Sequence, residues 1–454
     1  MIGTLARHRL SLLLLLLCGY LFFAYPFMQL RVPPSGVGVP FGELALGAIL
    51  VSINLPLIVS RIGSVIFVPP VLFMWAWGFT RLILDAVKEG PWAFRDGTQL
   101  IETLFLVVSF AVIAGPSQIA RFSRWLRYTL IASCLYGLFY IFAIPIMAMS
   151  PTLPGGSGQA IPIFGTFATT GTMLLWGAFY CMIQPARRPL ARLRYAAIAG
   201  FLVSYAVLLI QARTIYVQLL SLSVLLFFVR PAALRAFGLS IPILFGVLLF
   251  ISVFEFRISG RLGSEISFAF LWNHVQAIFG VAEKSAGGIA EAASGVSLRF
   301  GWWLRLYREL TSDSATLLTG LGYGVALTDF RDTLGTLARE PHNSMISIIA
   351  RGGLVGGVCW FWMQIELFRT GFRTYRECKR LGRGDEGRLV VLIMGFAVLT
   401  LASCFGEDTM EKPYNAIPYY VLWGVVLRVA YCLREGVYQT ATSRRAVQLA
   451  GNAS

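Results

Sequence analysis

Few side chains in this sequence can move a proton, and the three histidines, His8, His274 and His342, come first among them. His8 lies in a basic N-terminal tail beside Arg7 and Arg9, and His274 lies in a loop. His342 is set differently, between Pro341 and Asn343, where a long polar segment returns to a hydrophobic one. An imidazole there is suited to general-base work near neutral pH. Proline favours the first turn of a helix. The spacing therefore predicts that His342 sits near the positive end of a helix dipole, which disfavours protonation and keeps the ring a neutral base. A solvated or hydrogen-bonded structural histidine would fit the same position, and the residues alone leave both readings open.

Other chemistries find less support. No carboxylate pair with DxD-like spacing occurs in the segments outside the hydrophobic runs on this side, and no His/Cys/Asp run has the spacing of a metal cage, so no metal and no cofactor is expected. The nearest acidic cluster is Asp329-Phe330-Arg331-Asp332. Gly320-Leu321-Gly322-Tyr323-Gly324 lacks the GxGxxG spacing and the preceding strand of a nucleotide loop. It reads as a backbone turn, with some contact between its N–H groups and phosphate left open. Gly352-Gly353 and Gly356-Gly357, four residues apart, read as a smooth stripe for helix packing.

These residues must be positioned by a membrane-embedded chain. Hydrophobic residues make up 57% of the 454, charged residues 13%, and the mean hydropathy is +0.71, far from the values of a soluble domain. The formal charge of +16 is nearly all arginine, since only Lys88, Lys284, Lys379 and Lys412 are lysines. Apolar stretches near 10–30, 41–60, 62–84, 98–115, 125–149, 161–183, 195–212, 214–229, 236–256, 343–366, 388–404 and 414–433 each approach the length needed to span a bilayer as a helix. The expected fold class is therefore all-α, a polytopic integral membrane protein of about twelve transmembrane helices. With the N-terminus inside, every inward loop is basic: Arg61, then Arg121, Arg124 and Arg127, then Arg187 to Arg194, Arg230 and Arg235, and Arg369 to Arg388. The outward loops are uncharged, balanced, or acidic as at Glu407, Asp408 and Glu411. This placement follows the positive-inside bias and makes membrane lipid, and no nucleic acid, the expected contact of the arginines. The first span is expected to remain uncleaved. The seven cysteines, in or beside helices apart from Cys378, suggest no disulfide framework.

The chain divides into residues 1–256 with helices one to nine, an outer loop over 257–341, helices ten to twelve over 342–433, and an inward tail over 434–454. Within the loop, Leu298, Trp302, Leu306 and Leu310 recur at helical spacing across 296–312. Trp303 and Tyr307 widen that face, and Arg299, Arg305, Arg308 and Glu309 are its charged members. This pattern predicts interfacial helices forming a lid. Arg351, about nine residues into its helix, is the one deeply placed charge and requires a partner or a water-filled cavity.

Ser297-Leu298-Arg299, Leu318 through Gly324, Pro341-His342-Asn343-Ser344 and Arg351 through Gly356 together resemble the shared region of the bacterial O-antigen ligase and polymerase superfamily. Gln211-Ala212-Arg213-Thr214 is similar to that family's short outward turn, although Ala212 and Thr214 depart from the commoner neighbours. The resemblance implies a GT-C-like glycosyltransferase architecture with a periplasmic loop. It implies transfer of a preassembled glycan from undecaprenyl pyrophosphate to a sugar of lipid A-core oligosaccharide at the periplasmic face of the bacterial inner membrane. It also implies functional roles for Arg213, Arg299 and His342. Two arginines would grip the pyrophosphate and His342 would serve as base, without a metal and with inversion. A polymerase or protein O-oligosaccharyltransferase of the same superfamily would use nearly the same motif. A twelve-helix secondary transporter is the competitor from another class, against which stand the lack of an internal repeat and the placement of Glu43, Glu102 and Glu366 near helix ends.

Overall fold

The computed structural model describes residues 2–33, 38–150, 167, 169–185, 188–238, 240–253, 272, 276, 287–331 and 337–437. His274, most of the first half of the 257–341 loop and the tail beyond 437 lie outside the described residues. The principal helices are α1 (Ile2–Phe23), α2 (Phe41–Leu50), α3 (Leu55–Gly63), α4 (Pro69–Glu89), α5 (Thr98–Val112), α6 (Pro116–Ala148) and α7 (Thr170–Ile183). They continue as α8 (Pro189–Ile210), α9 (Thr214–Val229), α10 (Ser240–Val253), α11 (Gly287–Leu310), α12 (Ser344–Arg380), α13 (Gly384–Ser403) and α14 (Pro413–Arg434). The only sheet among the described residues is a two-residue ribbon pairing Arg31–Val32 with Val39–Pro40. The protein is thus an all-α membrane protein. Each apolar stretch expected from the sequence contains a helix, or at 41–60 the pair α2 and α3. Six of these helices (α4, α6, α8, α12, α13 and α14) are long and apolar enough to cross a membrane, and α2 with α3, bent by 93°, can count as a seventh.

The apolar surface is distributed as a lipid solvent requires. α13 and α14 are enclosed by the other helices, and α14 approaches α5 so closely that Gly424 has no room for a side chain against Ser109 and the carbonyl of Leu106. At the periphery, α4 exposes Leu72, Phe73, Ile83 and Leu84, and α6 exposes Trp125, Tyr128, Ile131 and Leu135. A contiguous apolar exterior of this kind would aggregate in water and is satisfied by hydrocarbon.

The bundle has two chemically distinct ends. At one, Arg230 donates to the carbonyls of Met182 and Gln184, Tyr375 donates to Val229, and Arg124, Arg127 and Arg388 line a shared pocket. At the other lie the 85–97 connection, the 211–213 turn, the described part of the 257–341 loop and the 404–412 connection.

On this second end α11 buries Trp302, Leu306 and Leu310, with Leu306 and Leu310 packed on Leu327 and on Ala350 of α12. Tyr307 and Leu298, expected on the apolar face, are exposed. Tyr307 follows Leu306 by one residue and so points about 100° round the helix from the buried row.

Arg351 is wholly buried in the first turns of α12 and has its partners. Its guanidinium bonds Glu340 at 2.5 Å, lies 3.3 Å from Asp96, and donates to the carbonyls of Gly322 at 3.4 Å and Val325 at 3.2 Å. Asp96 also holds Arg339 at 2.6 Å, and that guanidinium stacks 4.6 Å over Trp92. The 320–324 segment is the turn expected, but the N–H groups of its middle three residues are already used. Leu321 donates to Ala350, Gly322 to Arg351 and Tyr323 to Asp85, so these three do not face phosphate.

The glycine stripe of α12 is corrected. Gly353 takes φ +65 inside the helix, and the space its side chain would need is filled by the backbone of Leu318 and Gly320. A side chain on Gly352 or Gly356 would meet nothing within 4 Å, so no close helix contact requires glycine at these two positions. The break at Gly353 lets the turn dock there, and only glycine adopts that backbone without strain.

Removing one member of a buried ion cluster leaves the rest uncompensated, at about 3–5 kcal/mol. Arg351→Met is expected to cost that much in denaturant unfolding of detergent-solubilised protein, and adding Glu340→Gln to recover part of it.

Candidate active site

His342 does not lie inside the helix, as its neighbour Pro341 had suggested. Asn343 is the N-cap, its Oδ1 accepting from Met345 N–H at 3.0 Å and Ile346 N–H at 3.2 Å, and α12 begins at Ser344. Asparagine is among the strongest N-cap residues because its side chain replaces the missing turn of acceptors. His342 is therefore one residue outside the cap, in a left-handed conformation with φ +53. Such backbone costs a non-glycine residue about 1–3 kcal/mol and persists only where surrounding contacts impose it.

Those contacts come from the 404–412 connection. Asn343 Nδ2 donates to Phe405 O at 3.1 Å, and Ser344 N–H donates to Cys404 O at 3.0 Å. The Ser344 hydroxyl donates to Glu411 Oε2 at 2.5 Å and accepts from Met410 N–H at 3.0 Å. Trp303 of α11 donates to Pro341 O at 2.9 Å, and the Trp302 ring lies 6.3 Å from the imidazole. α11 and the 404–412 connection thus hold the residues on both sides of His342.

The imidazole has a specific partner. Nδ1 lies 3.1 Å from Asp408 Oδ1, and the same oxygen takes the Lys412 ammonium at 2.9 Å. Burial would raise the Asp408 carboxyl, but the hydrogen bond from His342 and the charge of Lys412 outweigh it and hold Asp408 below the usual carboxylate range. Burial likewise works against Lys412, while Tyr414, Asp408 and Glu407 lift it above its ordinary value. An ionised carboxylate only accepts hydrogen bonds, so in the neutral ring Nδ1 carries the hydrogen and Nε2 presents a lone pair.

The two arginines meet this group from different elements. The 211–213 turn follows a π-helical last turn of α8 and contains Gln211 at φ +53, the second left-handed non-glycine residue at this end. Burial, then the charge of Arg299, holds Arg213 below the ordinary guanidinium value, and Glu407 opposes both. Arg299 of α11 donates to Gly406 O at 2.9 Å. Glu407 is thus common ground. It interacts with Arg213, follows the residue that Arg299 holds, and places a carboxylate oxygen within 4.8 Å of donor atoms of His342 and Asp408.

Sequence reasoning missed Asp408, Lys412 and Glu407 as site residues. The signal was present, since the acidic connection over 404–412 carries an aspartate and a lysine four residues apart. Sequence reasoning also found no His/Cys/Asp cluster. Among the described residues His342, Glu407 and Asp408 form one, with ligand atoms mutually within 4.8 Å. One Asp408 oxygen is shared by Lys412 and His342, so a divalent cation using that oxygen would have to displace an ammonium.

Beside the group opens a cavity of about 410 Å³. Glu407 and Lys412 line it together with Gln218, Thr172, Ser403 and Asn415, and Gln218 Nε2 donates to Ser403 at 2.7 Å and Thr172 at 2.9 Å. Tyr140, Met147 and Phe167 give it an apolar wall. A polar base of this kind next to an apolar wall suits an amphipathic substrate. The groups assembled here can accept a proton at His342 Nε2 and oppose negative charge at Arg213 and Arg299.

Glu411 supplies a pH test of the supporting shell. Burial, with Glu340 and Asp408 nearby, pushes its carboxyl up to about 8 against the hydrogen bond from Ser344. The unfolded value is about 4.3. Its contribution to stability is thus complete below that pH and is lost as pH rises to about 8. Melting curves of Glu411→Gln, which keeps an acceptor for Ser344, are expected to decline less than wild type between these limits. An equal decline would contradict the assignment.

No family model matches the chain, and no curated protein matches it.

Proposed function

We propose that this protein is a glycosyltransferase of the O-antigen ligase type, moving a preassembled glycan from undecaprenyl pyrophosphate to a sugar hydroxyl of lipid A-core oligosaccharide. The observation that carries the reading is the gathering of His342 with its Asp408–Lys412 support, Arg213 and Arg299 around Glu407, beside a cavity with polar and apolar walls. These groups come from α11, the approach to α12, the 211–213 turn and the 404–412 connection. A structural histidine needs no such convergence of cations.

In the proposed reaction His342 Nε2 takes the proton of the acceptor hydroxyl as its oxygen forms a bond to the anomeric carbon. The bond from that carbon to the pyrophosphate oxygen breaks, and the leaving pyrophosphate keeps the electron pair. Arg213 and Arg299 meet the charge that develops there, which arginine does bidentately and without titrating. Asp408 holds the ring in the tautomer that leaves Nε2 free, as a carboxylate does for an imidazole base in other hydrolases and transferases. With one base and no nucleophile in the scheme, displacement is single and the anomeric configuration inverts.

The membrane arrangement belongs to the same proposal. Twelve spans result if the six long helices are joined by the bent pair and by the five shorter apolar helices. The arginine-rich end would then face the cytoplasm and the His342 end the periplasm, by the positive-inside bias.

The test is transfer by purified protein with undecaprenyl-linked glycan and either core-lipid A or a second lipid-linked repeat unit as acceptor. Glycan on core-lipid A supports the ligase. A ladder growing on the carrier lipid would instead identify a polymerase, and solute flux in proteoliposomes without a new glycosidic bond a transporter. Inversion is expected in the linkage formed, and retention would overturn the single displacement. Arg213→Lys and Arg299→Lys are expected to weaken donor engagement at least about tenfold, because a point charge does not reproduce the guanidinium fork. Chelation is expected to leave the rate unchanged. Its abolition by chelator and recovery with Mg²⁺ or Mn²⁺ would turn the His342, Glu407 and Asp408 cluster into a metal site.

A further inference from the structure

Beneath the candidate active site, the described residues include carboxyls for which the transfer scheme has no use. Glu102, in the second turn of α5, is wholly buried, and neither of its carboxylate oxygens has a hydrogen-bond partner. Glu43, in the first turn of α2, has both carboxylate oxygens buried and bonded to no other residue. Gln99 stands three residues before Glu102 on the same helix, 6% exposed, with its Oε1 also unbonded. The fourth group is a phenol. Tyr20 of α1 is buried completely, its proton has no acceptor, and its hydroxyl lies against the backbone of Gly42, next to Glu43.

Electrostatics place these groups in one locality. Tyr20 interacts with Glu43 and Glu102, and Glu102 interacts with Glu43. The other titratable groups acting on them are Glu411, from the connection before α14, and Tyr420, from α14 itself. None of these is cationic. Arg351 and Arg339 are engaged with Asp96 and Glu340, and Lys412 with Asp408, while Arg31, whose strand pairs with Pro40, is not among the groups acting on Glu43.

A buried polar atom is nearly always hydrogen-bonded, and an uncompensated buried carboxylate costs several kcal/mol, about enough to unfold many domains. Two such carboxyls acting on one another must be neutralised, by a cation or by a proton. The available donors are all oxygen: two from each carboxyl, the Gln99 amide and the Tyr20 phenol. That is the donor set of a hard cation, with neither imidazole nor thiolate for a transition metal. Ionisable groups inside a membrane bundle most often mark such ion or proton positions.

We propose that Glu43, Glu102, Gln99 and Tyr20 form a binding site for a small positive charge held by oxygen alone, a sodium ion or the proton that competes with it. The two ligands share one chemistry, since each neutralises a carboxyl that no side chain neutralises. The site is separate from His342, Arg213 and Arg299, and it stands or falls independently of the glycan-transfer reading.

The experiment follows melting of the full-length protein in detergent, in NaCl and in choline chloride at equal ionic strength, from acid to alkaline pH. If sodium binds, it raises the melting temperature saturably at alkaline pH. The effect fades as pH falls and protons take the carboxyls, and Glu102→Gln removes it. If the proton is the resident ligand, sodium has no effect, and infrared spectra at neutral pH contain a protonated-carboxyl band that Glu43→Gln and Glu102→Gln each reduce. Either result supports the site. Absence of a sodium shift together with absence of a protonated-carboxyl band assignable to these residues overturns it. Should Glu102→Gln fail to fold, the sodium titration of the wild type and the band lost in Glu43→Gln decide the question.

Discussion

A guanidinium with no access to solvent governs how the His342 end of this bundle is built. Arg351 cannot remain in the first turns of α12 without anions and carbonyls around it, and they come from three separate segments: Asp96 after α4, Gly322 and Val325 from the glycine-rich turn, and Glu340 from the approach to α12. Each segment is thereby fixed to the same point. Glu340 is also two residues before His342, so the ion cluster sets where the imidazole emerges. The break at Gly353 serves the same assembly, because it opens the helix where the turn through Gly320 must dock.

From that anchor the site assembles by short links. Asn343 ends the approach by capping α12 and grips Phe405, Ser344 grips Cys404 and Glu411, and Asp408 is thereby carried to the imidazole. The left-handed backbone at His342 is the conformation these restraints leave to it. A ring held at Nδ1 by a carboxylate that already carries an ammonium is oriented on one side and open on the other. Arg213 and Arg299 approach the same connection through Glu407 and Gly406, so cationic and basic groups come to share one surface although more than a hundred residues separate Arg213 from His342. Glu407 balances that positive charge until a substrate anion takes its place in the proposed reaction.

Much of the helical layout was legible because a bilayer imposes long apolar runs and the chain obeys that constraint with few interruptions. The amphipathic segment of α11 was legible too, from Trp302, Leu306 and Leu310, although Tyr307 showed that a wide apolar face read from residue types is narrower in the fold. His342 stood out by rarity and by its neighbours. What surrounds it did not, because Asp408 lies 66 residues away and its role depends on tertiary packing. The start of α12 was misjudged for a local reason. Pro341 and Asn343 both carry N-terminal signals, two residues apart, and the cap's hydrogen bonds to Met345 and Ile346 win over the proline's torsional preference. The role of Gly353 was hidden because a glycine on a packing stripe and a glycine at a helix break look alike in sequence.

The central claim is that His342 acts in the bond-making step while the arginines hold the donor. Single-turnover transfer by His342→Ala, measured at saturating undecaprenyl-linked donor and alongside donor affinity, addresses it most directly. The account expects unchanged donor affinity with a chemical step slowed by about 10²–10⁴. A variant that transfers glycan at the wild-type rate, or one that has lost donor binding instead of chemistry, would contradict it.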